Sequence, residues 1–366
     1  MTAKGFELVL LFPRRRHLFR RLGFTMLEPV THSTTRFLHV ANGSCTTDLI
    51  AAASLPGQSS IWADPLYAGP VPEKLDDDEL IEVRARFLAG PEHGAQDVAT
   101  ALRDWRRVIA ASDAYSELVL WFEHDLFDQL NLIQVLSWIR THASNVKAVS
   151  LISVGAFPGH PDFKGLGELS PGELRSLLET RQPVNDQQFA LAARAWSAFC
   201  QPTPQGLNEL RDADTSALPF LAAAITRFLE EYPWTGDGLS RSERRLLELA
   251  SAGPIDLLAA FPRMHDGERA YYITDTSLDE LADALSGASP PLLARTRGEH
   301  HDSRRLRGSV TVTEFGRSVL GGQRDRVAAC GIDCWLGGVH LRDGAALWRW
   351  DDQRQRITAA ASGSAA

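Results

Sequence analysis

Between Phe37 and Gly155 the chain passes repeatedly from a short, continuously apolar run into a helical segment and back. "RFLHVAN" leads into "SCTTDLIAAASL". "SSIWADPLYAGPVP" is followed by the acidic "EKLDDDELIEVRARFL" and by "DVATALRDWRRVIAAS". "LVLWFEHDLFDQLNLIQVLSWI" joins strand to helix directly, and "VKAVSLISVG" closes the series. Such alternation predicts a parallel sheet with helices on its faces. Strands that are apolar at nearly every position are those covered on both sides. Right-handed crossovers then place every carboxyl end on one edge of the sheet.

Beyond Gly155 the character changes. Ser170-Pro171-Gly172-Glu173 and Ser240-Arg241-Ser242-Glu243 both read as helix starts with a capping serine and a glutamate three residues on. "DQQFALAARAWSAFC" and "TSALPFLAAAITRFLEEY" are helical, and Pro233 to Gly238 reads as a linker. From Leu239, three short helices and a strand pair resemble a winged-helix module, with "TVTEFGR" (Thr311 to Arg317) as its strand-to-helix piece. "GIDCWLGGVHLRDGAALWRWD" predicts a hairpin turning at Arg342-Asp343-Gly344. The fold class expected is therefore α/β: an N-terminal Rossmann-like parallel sheet with helices on both faces, a helical bridge, and a winged-helix-like α+β C-terminal domain. The boundaries expected are a basic leader over 1–36, the α/β domain over 37–184, the bridge and linker over 185–238, and the winged-helix-like domain with its hairpin over 239–356.

Composition narrows the function classes. A chain of 366 residues with 44% apolar and 23% charged residues is that of an ordinary water-soluble globular protein. A formal charge of −8 argues against wholesale binding to nucleic acid or anionic membrane. Cys45, Cys200, Cys330 and Cys334 contain no Cys-x-x-Cys pair and read as reduced thiols, which points to the cytoplasm. No apolar run reaches the roughly 18 residues of a membrane span. Arg14, Arg15, Arg16, Arg20 and Arg21 invite comparison with a twin-arginine export signal. The following segment builds no long apolar region, so a disordered leader is the expectation.

Ligands of open parallel sheets bind outside the carboxyl ends of the strands. Those ends here are Asn42-Gly43-Ser44, Asp64, Glu123-His124-Asp125, and Gly155 with the loop Ala156 to Leu169. Glu123 and His124 are the candidate general acid/base pair or metal ligands, against the alternative of a solvated loop or an ion pair. Asp125 either faces the crevice or caps the next helix. Asp128 and Gln129, in that helix's first turn, reach toward the same edge, and Asp128 equally suits the helix dipole. Asp64 suits a metal or ribose hydroxyls, or hydrogen-bonds its own turn. Asn42, Gly43 and Ser44 enter a helix N-terminus, an anion site; the capping hydroxyls there are those of Ser44, Thr46 and Thr47. Lys164 sits in a glycine-rich loop that reads either as a binding lid or as a surface excursion. His39 reads as a buried structural histidine. The dinucleotide fingerprint, the P-loop, the Gly-x-Ser-x-Gly elbow and the His-Glu-x-x-His pair are all absent from the sequence. "GEHHD" (298–302) reads as a solvated loop.

In the winged-helix-like region the third helix, "SLDELADAL", carries Asp279, Glu280 and Asp283 and no base. DNA phosphates would repel it. Arg295, Arg297, Arg304, Arg305 and Arg307 cluster nearby and permit nonspecific contact. A protein partner is favoured over sequence-specific DNA reading.

Several blocks together look like one family. "LHVANGSCTTDLI", "WADPLYAGPVP", "LVLWFEHDLFDQLNLIQVL", "FKGLGELSPGELRSLLETRQPV", "SVTVTEFGRSVLGG" and "GIDCWLGGVHL" resemble the bacterial family named domain of unknown function 1835, over about Phe37 to Asp351. The resemblance implies no established reaction. The reading favoured is an enzyme that acts on a small phosphorylated or nucleotide-like substrate by hydrolysis or group transfer, with a divalent metal as the cofactor to consider. Its rival is a non-catalytic regulator that joins a ligand-sensing α/β domain to an interaction module.

Overall fold

The computed structural model describes residues 36–89, 94–143, 145–297, 306–344 and 347–359. The leader before Arg36, the "GEHHD" stretch, Arg304, Arg305 and the tail after Ala359 lie outside the described residues. In chain order the first elements are β1 (Phe37–Ala41), α1 (Ser44–Ala52), β2 (Gln58–Ile61), β3 (Gly69–Pro70), α2 (Asp77–Leu88), α3 (Ala95–Ala110), β4 (Glu117–Glu123), α4 (Leu126–His142) and β5 (Val149–Val154). Then follow α5 (Pro171–Leu177), β6 (Gln182–Pro183), α6 (Asp186–Cys200), α7 (Gln205–Asp212), α8 (Leu221–Leu229) and α9 (Arg241–Ser251). The remainder is β7 (Ile255–Asp256), α10 (Leu257–Met264), α11 (Asp275–Gly287), β8 (Leu293–Thr296), β9 (Ser309–Val312), α12 (Glu314–Leu320), α13 (Arg326–Cys330), β10 (Asp333–Gly337), β11 (Val339–Arg342), β12 (Trp348–Asp351) and β13 (Arg356–Ala359).

The chain divides into two compact units, each discontinuous in sequence. The first comprises Met1–Asp64, Arg84–Glu123 and Asn131–Ala193; the second comprises Pro65–Val83, His124–Leu130 and Arg194–Ala366.

The first unit is built on a sheet of order β2-β1-β4-β5-β6, parallel throughout except for the short edge strand β6. β4 is buried from Leu118 to Glu123, as its unbroken apolar run requires of a central strand covered on both faces. Alternate residues sort to the two sides. Phe37, Ala41, Val119, Trp121 and Ile152 join Ile50 and Ala53 of α1, Leu174 and Leu177 of α5, and Phe163, Leu166 and Leu169 in one buried cluster. Leu38, Val40, Leu118, Leu120 and Phe122 belong to the opposite set and are equally buried. His39 is fully buried: its Nδ1 accepts from Trp121 Nε1 at 3.0 Å and its Nε2 lies 3.1 Å from the Pro56 carbonyl. Burial holds its pKa below the ordinary 6.5, since the charged ring would lose its water.

The second unit carries the winged-helix-like arrangement, α9, β7, α10 and α11 followed by the β8–β9 hairpin, with antiparallel sheet order β7-β9-β8. Of its helix starts, the one the sequence marks is at Ser240. Ser240 caps α9 in a capping box with Glu243, Asp256 caps α10, and Thr274 caps α11. On β8, Arg295 pairs with Asp279 and Asp283 of α11, and Arg297 pairs with Asp283 at 2.8 Å. Two of the five arginines read as a basic cluster are thus neutralised by the helix beside them.

Two sequence expectations need correction. The C-terminal hairpin turns at Gly337-Gly338 between β10 and β11, and Arg342-Asp343-Gly344 ends β11 instead. Gly337 has φ +60, and a Cβ on it would stand 2.6 Å from the Phe199 carbonyl oxygen, so backbone approach from the end of α6 selects glycine. The second pair, β12 with β13, is a separate hairpin. At α1 the cap is Gly43, and no side chain caps the helix. Thr46 Oγ1 instead donates to Asn42 Oδ1 at 2.7 Å, and Thr47 Oγ1 donates to the Ser44 carbonyl at 3.0 Å. Among the described residues, no helix is long and apolar enough to cross a membrane.

Candidate functional site

Chain direction and strand order fix where a ligand would meet the first unit. From β1 the chain moves to β2 on one side, and it later returns to place β4 on the other. The strand order therefore reverses between β1 and β4, the topological switch point at which open α/β sheets bind ligands. β1 ends at Ala41, paired with Trp121, and β4 continues two residues further to Glu123.

Glu123 is buried, 7% exposed, and its Oε1 accepts the Leu166 N–H at 2.5 Å. The loop after β5 supplies that donor. It is no loose excursion, because Phe163, Leu166 and Leu169 are buried in the sheet's core cluster. Gly165 is selected by space: a Cβ there would stand 2.5 Å from Glu123 Oε2 and 2.9 Å from Cδ. Lys164, the residue of this loop singled out from sequence, is exposed, and its backbone N–H goes to Glu168 Oε2 at 3.1 Å. The glycine beside it is what the carboxylate touches.

Asp125 resolves as the helix cap, its Oδ1 accepting the Asp128 N–H at 2.9 Å at the start of α4. It is also part of a cluster. Within this continuous strand–turn–helix segment, one carboxylate oxygen each from Glu123, Asp125 and Asp128 lies within 4.8 Å of the other two, and all three residues are buried. Burial raises the Asp125 pKa above the ordinary carboxylate value, opposed by N–H groups of the helix start and by His124. Carboxylate oxygens are the donors that hard divalent cations such as magnesium, calcium or manganese take. The set fits such an ion in its donor chemistry, since three carboxylate oxygens lie close enough together to share one. Gln129 is buried beside them, its N–H bonded to the Asp125 carbonyl at 2.9 Å.

His124 is 8% exposed. Its Nε2 lies 3.3 Å from the Tyr272 hydroxyl, and its ring meets those of Tyr272 and Phe220 edge-on at 5.9 and 6.0 Å. Nδ1 is buried and has no hydrogen-bond partner among the described residues.

Asp64 is buried against a guanidinium. Its carboxylate takes Arg84 Nε at 3.1 and 3.0 Å and Nη2 at 2.6 Å, a buried two-pronged ion pair. Asn131 clamps its backbone from both sides, accepting the Asp64 N–H and donating to its carbonyl, each at 2.9 Å. What the Asp64 carboxylate meets is a guanidinium.

Asn42, Gly43 and Ser44 are half-buried at the mouth of α1. A Cβ added at Gly43 would find no atom within 4 Å. The first N–H groups of α1 have no side-chain cap, the state in which a helix start accepts an anion.

From sequence, Gly165 is one glycine of a glycine-rich loop, and nothing singles out Leu166, Arg84, Asn131 or Tyr272. That loop was a usable signal for the glycine. Tyr272 gave none, since it lies 148 residues from His124 in the chain.

No protein-family model matches the chain, and no curated protein matches it either. The resemblance stated above stands on its quoted blocks alone.

Proposed function

We propose that the protein is an enzyme acting on a small phosphorylated or nucleotide-like substrate, by hydrolysis or group transfer, at the carboxyl end of β4. The observation that carries the reading is the buried group of Glu123, Asp125 and Asp128, with His124 among them, at the strand beside the reversal of strand order. Buried acids gathered at the carboxyl end of a central strand are where open α/β sheets place binding and catalytic groups. In this reading Glu123 and His124 act as acid/base pair or as ligands, and Asp128 supports them. A divalent cation held by the three carboxylates would polarise a phosphoryl oxygen or a water. Asn42, Gly43 and Ser44 receive the substrate's anionic group at the start of α1. Asp64 serves to hold the sheet edge in shape.

The test is a thermal-shift screen with nucleotides, sugar phosphates and divalent metals. Glu123→Gln is compared alongside, since it keeps a carbonyl acceptor for the Leu166 N–H. A ligand that raises the wild-type melting temperature, and raises that of Glu123→Gln much less, supports the reading; 100-fold saturation corresponds to about 2.7 kcal/mol. Equal shifts in both proteins would sink the role of Glu123. Ligand binding without turnover of any phosphorylated compound would favour the regulator instead. The pairing of Asp279 and Asp283 with Arg295 and Arg297 speaks for a protein partner of that regulator over DNA.

A further inference from the structure

Two histidines are buried among the described residues, His39 within β1 and His124 just after β4, and they differ in how their rings are satisfied. His39 has both nitrogens engaged, by Trp121 and by the Pro56 carbonyl. His124 has Nε2 3.3 Å from the Tyr272 hydroxyl, while Nδ1 is buried and without a partner among the described residues. A buried polar atom left unpaired costs stability, so a ring held in that state needs something to hold it.

Tyr272 is held for that purpose by several contacts. It lies between α10 and α11, where the Ala270 carbonyl accepts the Leu126 N–H at 2.6 Å and ties this loop to the first residue of α4. Its ring meets that of His265 edge-on at 5.7 Å. His265 is fixed in turn: Nε2 lies 2.9 Å from the Ile273 carbonyl, and its ring packs on Phe261 at 4.9 Å. The hydroxyl that reaches His124 is thus carried on a braced ring.

We infer that Tyr272 is a positioning residue whose hydroxyl fixes the His124 ring by Nε2 and reserves Nδ1 for the group the site binds. The two nitrogens of an imidazole are coupled, so a bond to one sets both the orientation and the tautomer presented by the other. The inference rests on the proposed role of His124, and it assigns the loop between α10 and α11 a part in that role.

The experiment uses the full chain labelled with ¹⁵N-histidine. The His124 ring signals are assigned among the 11 histidines by their loss in His124→Gln. Tyr272→Phe keeps the ring contacts with His124 and His265 and removes only the hydroxyl. In the wild type, the two His124 nitrogens are expected at the well-separated shifts of a single tautomer. In Tyr272→Phe they converge toward the averaged shifts of an exchanging ring, while the His39 signals stay in place. Binding of the nucleotide or sugar phosphate found in the screen weakens roughly fivefold, the loss of about one hydrogen bond. His124 signals unchanged between wild type and Tyr272→Phe, at equal melting temperature, would overturn the inference. So would a binding defect in His124→Gln that Tyr272→Phe does not share in any degree. Converging ring signals in a protein that binds none of the compounds would instead count against the proposed function, with the positioning of the ring upheld.

Discussion

Asp64 follows β2 and Glu123 ends β4, parallel strands of one sheet; both are buried and the sequence offers both for the same chemistry, yet the structure gives them different partners. Asp64 is matched by a full positive charge, the two-pronged Arg84, and clamped at its backbone by Asn131. Glu123 accepts a main-chain N–H from Leu166, touches Gly165, and stands within reach of two further acids. A carboxylate locked in a guanidinium fork gives up its freedom to bind anything else. One that accepts a main-chain N–H and lies close to two further acids belongs to a group whose oxygens can share a cation. The same residue class at the same edge of the sheet therefore serves structure in one place and can serve chemistry in the other.

The largest effect should come from breaking the Asp64 pair. Asp64→Ala takes from the buried Arg84 the carboxylate that its Nε and Nη2 meet and should lower unfolding stability by about 3–5 kcal/mol, read by urea denaturation. Glu123→Gln, which keeps a carbonyl oxygen for the Leu166 N–H, should cost far less. Similar losses for the two would collapse the comparison. An intermediate effect is expected at Gly165→Ala. The added methyl must displace the Glu123 carboxylate, and such overpacking costs about 1–3 kcal/mol. This variant should weaken the ligand response as Glu123→Gln does, and a normal response would show that the Glu123–loop contact is dispensable. The smallest effect concerns His39, held by the neutral partners Trp121 and Pro56. Its pKa is lowered in the fold, so the unfolded chain takes up a proton first as pH drops below 6.5. Stability that is present above that value should be lost below it. Denaturation curves from pH 8 to pH 5 should show the loss in the wild type, and His39→Gln should remove part of it.

Most of the first unit's architecture was legible because it rests on local pattern. Continuous apolar runs marked β1, β4 and β5, and Glu123-His124-Asp125 was visible as charge placed where β4 had to end. Helix starts with a hydroxyl followed by glutamate, at Ser170 and Ser240, were legible for the same reason: the hydrogen bonds that define them span three residues. Where a contact closes over a distance, the pattern fell short. The turn at Gly337-Gly338 depends on the end of α6 pressing on those glycines, and the more conspicuous Asp-Gly at 343–344 misled the reading. The cap of α1 depends on side chains preferring other bonds, which their identity alone does not announce.

The sequence by itself determined the fold class, the edge of the sheet that bears the polar residues, and the segment from Leu118 to Ile139 as its centre. Those follow from periodicity and chain direction, which are properties of neighbours along the chain. Only the tertiary structure decided which guanidinium meets Asp64, which loop holds Glu123, and which hydroxyl meets His124. Arg84, Leu166 and Tyr272 stand 20, 43 and 148 residues from their partners. At such separations the choice of partner is made by packing, for a buried charge or hydrogen-bonding group takes whatever donor the closed fold brings within about 3 Å.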